Sequence, residues 1–84
     1  MNRYCITFRS ITYAQRGESV LHRTGISCSV QRTPRWMEEQ GCGYCVRLQE
    51  KDLAQSIEYL RRKQVPFRKV YRLIEGAEPE EITL

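Results

Sequence analysis

Tyr44-Cys45-Val46-Arg47-Leu48, then Lys51 to Gln64, then Phe67 to Leu73 spell a strand, a helix and a strand. The first piece alternates, with Tyr44, Val46 and Leu48 on one face, which predicts a strand. The second is the clearest helix in the chain. Leu53, Ile57 and Leu60 make an apolar stripe, Asp52 stands in the first turn, and Arg61, Arg62 and Lys63 in the last suit the helix dipole. Pro66 closes that helix, and Phe67 to Leu73 reads as a further strand.

Working outward, the first half repeats this plan. Tyr4, Ile6 and Phe8 alternate with Cys5 and Thr7 and predict a first strand. Ser10 and Thr12 are both N-cap types, and a helix follows from Ile11 to Arg23, stopped by Gly25. Gly17 inside that helix costs about 1 kcal/mol against Ala; a close approach of helix to sheet would account for it. Ile26 to Thr33 alternates as a second strand and ends at Pro34, which cannot donate to a ladder. The order β-α-β-β-α-β predicts an α+β fold, a ferredoxin-like sandwich: a four-stranded antiparallel sheet with two helices on one face. One domain spans residues 1–73, and residues 74–84 form an acidic tail expected to be mobile. The inward side of the last strand stays open between Phe67 with Tyr71 and Val70.

Length and composition agree with one small domain. The chain has 84 residues, 40% of them hydrophobic and 29% charged, the balance of an ordinary soluble protein. No apolar run approaches the roughly 20 residues that span a bilayer. Met1 to Phe8 lacks the features of a secretory signal, so the expected location is the cytoplasm, where thiols stay reduced. All 14 Lys and Arg stand at or before Arg72, and four of the 10 acids follow Leu73. The basic body suits an anionic partner or simply a solvated surface.

Chemistry concentrates at Gly41-Cys42-Gly43-Tyr44-Cys45. In the predicted topology the loop entering the third strand meets the start of the first helix. Helix N-terminal amides and the dipole favour negative charge there, and such a setting lowers a thiol pKa. Cys42 is therefore the candidate nucleophile. Arg9, Arg35, Ser10 and Thr12 are candidate anion contacts, and Gly41 and Gly43 leave the sulfur uncrowded. Cys42 and Cys45 form a C-x-x-C, so Cys45 is either a resolving thiol or a small buried residue. A zinc site needs four ligands, of which this pair supplies two. Cys5 and Cys28 read as packing residues, and the single histidine, His22, as a solvated surface residue. Trp36 and Met37 read as a loop anchor or an exposed patch.

Ile6-Thr7-Phe8-Arg9-Ser10-Ile11-Thr12-Tyr13-Ala14, Thr33-Pro34-Arg35, Cys42-Gly43 and Val70-Tyr71-Arg72, in that order, resemble the family described as putative selenium/sulfur carrier protein-like. The likeness covers residues 4–73. It implies a short bacterial or archaeal protein holding sulfur or selenium on Cys42, with a donor or acceptor protein as partner and no dissociable cofactor. The sequence departs from the family's pattern at Cys45, at Glu38-Glu39-Gln40 and in the acidic tail. Two other readings compete. One is a dithiol redox or metal-handling module built on Cys42 and Cys45. The other is a small RNA-binding module in which Gly41 to Val46 loosely echoes the RNA-recognition signature, with Tyr44 and Tyr4 as the stacking residues. A homodimer formed through the uncovered sheet face is a further expectation.

Overall fold

The computed structural model describes residues 3–32 and 43–82. In chain order the elements are β1 (Arg3–Phe8), α1 (Ile11–Arg23), β2 (Cys28–Arg32), β3 (Tyr44–Gln49), α2 (Leu53–Arg62), β4 (Val70–Leu73) and β5 (Glu80–Ile82). They make one antiparallel sheet in the order β2-β3-β1-β4-β5 with two helices. The class is α+β, as the sequence predicts, but the sheet has five strands and not four.

The fifth strand comes from the acidic segment read as a tail. Its register puts Glu81 opposite Tyr71 and Glu80 opposite Arg72. Arg72 bridges Glu80 at 3.0 Å and Lys69 bridges Glu81 at 3.5 Å. The charge asymmetry between body and C-terminal segment is thus spent, in part, on a strand pairing. Each bridge is half exposed, so each adds about 1 kcal/mol at most.

β1 is central. Ile6 stands opposite Val46 of β3 and Val70 of β4. Its even residues Tyr4, Ile6 and Phe8 join Val46, Leu48 and Val70 of the sheet, Ala14 and Leu21 of α1, and Ile57 and Leu60 of α2 in one buried cluster. Both helices therefore lie on the same side of the sheet. This also settles the fourth strand: Val70 is the core residue, and Tyr71 faces the other way. The glycine in α1 has the predicted reason. A Cβ at Gly17 would stand 2.9 Å from Cζ of Phe8, closer than packed atoms tolerate.

Element ends differ from expectation by a few residues, with local causes. β2 begins at Cys28, because the Ile26 amide is used to close α1, donating to the Leu21 carbonyl at 3.0 Å. Gly25, at φ 84°, makes that left-handed turn. α2 ends in the same manner, with Val65 donating to the Leu60 carbonyl at 2.9 Å, but there Gln64 takes the left-handed position at φ 57°. Regular pairing of β4 begins only at Val70. The residues before it are clamped to Thr7, whose Oγ1 accepts from the Lys69 amide at 3.0 Å while its carbonyl accepts from Arg68 at 2.8 Å.

Candidate functional site

Register brings together the elements that the sequence assigns to the site. Phe8, the last residue of β1, stands opposite Tyr44, the first of β3, and Arg32, the last of β2, stands on the other side of Tyr44. The β1–α1 turn and Gly43 at the entry to β3 are therefore at one end of the sheet. Ser10 caps α1: its Oγ accepts from the Tyr13 amide at 3.4 Å, and its carbonyl accepts from Ala14 at 3.1 Å. Such a cap uses the third amide of the helix and leaves those of Ile11 and Thr12 without intrahelical acceptors. The first turn of α1 contains no acid. Arg9 lines a 320 Å³ cavity with Pro66, Phe67 and Arg68 beside this end. Arg32 and Arg68 at this end were not singled out in the sequence; the paired strand ends they flank were the available signal.

Of the predicted site residues, Arg9, Ser10, Thr12 and Gly43 are thus grouped. Gly41, Cys42 and Arg35, together with Trp36 and Met37, lie outside the described residues.

Of the other cysteines, Cys5 and Cys28 are held in ways that suppress the thiolate. Cys5 on β1 and Cys45 on β3 are each 2% exposed and pack together with Tyr71 and Leu73 on the sheet face away from the helices. Cys45 stands opposite Thr7 and Cys5 opposite Arg47, so the two thiols are diagonal neighbours. A hydrogen bond with Cys45, reinforced by burial, drives the Cys5 pKa far upward, and Arg47 opposes this only in part. Cys28 is half-buried on the helix side of β2; burial, with Glu18 and Asp52 nearby, pushes its pKa up to about 11. His22 is exposed, with its Nε2 3.0 Å from the Cys28 carbonyl. Among the described residues no group of three or more His, Cys, Asp and Glu side chains is placed to hold a metal ion.

The aromatic platform required by the RNA-binding reading is not formed. Tyr4 is buried in the helix-side core and Tyr44 packs against it. Both follow the alternation of Ile6 and Val46, which puts them under the helices and away from any base. The far face carries a different aromatic, Tyr71.

Arg9, Arg32 and Arg68, the capped N-terminus of α1 and Gly43 stand at one end of the sheet of a small α+β domain. The chain belongs to the family described as "Putative Se/S carrier protein-like", whose pattern matches residues 3–72. No curated protein matches it significantly. No helix among the described residues is long and apolar enough to cross a membrane.

Proposed function

We propose that this protein is a cytoplasmic sulfur or selenium carrier on a ferredoxin-like scaffold, with Cys42 as the carrying thiol. The observation that carries this reading is membership in the carrier-like family over residues 3–72. The grouping of Arg9, Ser10, Thr12 and Gly43 at one sheet end supports it. The step is an exchange. The Cys42 thiolate attacks the terminal sulfur of a donor persulfide, a Cys42 persulfide forms, and the donor leaves as thiolate. With selenium the product is a selenosulfide. A basic end with helix amides favours both the attacking thiolate and the carried anion. The protein then acts as acceptor and donor for partner enzymes.

The test is mass spectrometry of the purified protein after exposure to a persulfide donor. The wild type, Cys5→Ser, Cys28→Ser and Cys45→Ser are expected to gain one sulfur atom, and Cys42→Ser none. Undiminished loading of Cys42→Ser contradicts the carrier assignment. Loss of loading in Cys45→Ser as well as Cys42→Ser would favour a dithiol mechanism in its place.

A further inference from the structure

The strands' far face contains a second feature, at the end opposite Arg9. A 210 Å³ cavity there is lined by Arg3, Ser29, Gln31, Arg47 and Gln49, along with Ser27. All are odd-numbered positions, on the side away from the helices by the alternation that buries Tyr4, Ile6, Val46 and Leu48. Cys28 and Leu48 also line it; their side chains face the helices, so they contribute main chain to its floor. Arg3 is opposite Gln49, and Cys5 is opposite Arg47. Arg3 and Arg47 are thus diagonal neighbours on adjacent strands, close enough to share one ligand.

Three observations point to an anion. Among the described residues the lining holds two guanidinium groups and no carboxylate. Gln31 accepts from Nη1 of Arg47 at 3.2 Å, which fixes the guanidinium plane. The Nε–H of Arg47 is buried and has no hydrogen-bond partner among the described residues. A guanidinium held through Nη1 keeps its remaining N–H groups as donors, the planar array that oxyanions take in bidentate fashion. Glu18 and Asp52 act on Cys28, whose side chain packs against the helix-side core. Glu18 is engaged there, accepting from the Val30 amide at 3.0 Å.

We propose that this cavity binds a small tetrahedral oxyanion of the phosphate and sulfate class, held between Arg47 and Arg3, with Ser29 and Gln49 as further donors. The site is at the opposite end of the sheet from Arg9 and Gly43 and does not depend on the carrier reading.

The experiment is a two-dimensional amide and Arg side-chain NMR titration with inorganic phosphate and, in parallel, sulfate, at ionic strength held constant with sodium chloride. The expected result is saturable shifts at Arg3, Ser29, Gln31, Arg47 and Gln49, including the Arg47 Nε–H signal. Arg47→Gln and Arg3→Gln should each weaken binding about tenfold, as loss of a charge-assisted hydrogen bond implies. Arg47→Lys, which keeps charge and loses the fork, should recover only part of it. Arg9→Gln should change nothing. Absent or unsaturable shifts, shifts centred on Arg9 and Ser10, or wild-type binding by folded Arg47→Gln would overturn the proposal. Should Arg47→Gln not fold, Arg3→Gln decides: Arg3 is exposed at the start of β1, so wild-type binding by that variant overturns the proposal.

Discussion

On the helix side of β1, Tyr4, Ile6 and Phe8 enter an apolar core. On the other side of the same strand, Arg3, Cys5 and Thr7 neighbour Gln49, Arg47 and Cys45 across the β3 register. One face is held by a continuous apolar core, and the other mixes a small cluster of Cys5, Cys45, Tyr71 and Leu73 with charged and hydrogen-bonding side chains. The difference shows how a thin domain separates stability from chemistry. With so few residues, one layer of side chains supplies most of the core, which leaves many alternate strand positions, Arg3, Ser29 and Arg47 among them, available for polar work.

The comparison breaks most readily at Phe8, which is fully buried beneath α1. Phe8→Ala should destabilise by about 3–5 kcal/mol, the range for truncating a buried aromatic. Chemical denaturation would measure it, and a small loss would mean that the helix face is not the main source of stability. Gly17 sharpens the same point through its sign. In an ordinary helix Gly→Ala stabilises by about 1 kcal/mol. Here the new methyl would meet the Phe8 ring at 2.9 Å, and overpacking costs typically 1–3 kcal/mol, so Gly17→Ala should lower the melting temperature.

A pH titration of stability separates the thiols from the core. The Cys28 pKa rises from 9.0 to about 11 on folding. Between those values the unfolded thiol has lost its proton and the folded one has kept it, so the unfolded state binds fewer protons. Stability is therefore fully present below pH 9.0 and falls as pH rises through about 11. Cys28→Ala should flatten part of that decline, and Cys5, shifted in the same direction, should account for more of it. The smallest effect belongs to the sheet edge. Glu80→Gln with Glu81→Gln removes two half-exposed bridges and should cost about 1 kcal/mol or less, most visibly at low salt.

Much of this was legible in the sequence because periodicity reports burial directly. The alternation of Tyr4, Ile6 and Phe8 and of Tyr44, Val46 and Leu48 gave the correct inward faces, and Ser10 and Gly25 marked the ends of α1 where they fall. The fifth strand escaped because Glu80 to Ile82 is too short and too acidic to show a strand pattern; its pairing depends on Arg72 and Lys69 in the segment just before it. The choice between Val70 and Tyr71 required a register, which one strand alone does not contain. At the site, the shared sheet end followed from topology, whereas the Cys5–Cys45 contact and the unanswered Arg47 Nε depend on which strands are neighbours and on the diagonal offset between them. No motif encodes those.

We propose that thiol chemistry belongs to Cys42, while Cys5 and Cys45 are buried and the Cys5 and Cys28 thiols are shifted away from the thiolate. The most direct measurement is residue-resolved alkylation of the native, reduced protein by iodoacetamide near neutral pH, read by peptide mass spectrometry at short times. Cys42 should be modified first, and Cys5, Cys28 and Cys45 should react at comparable rates only after denaturation. Native Cys45 or Cys28 reacting as fast as Cys42 would contradict the claim.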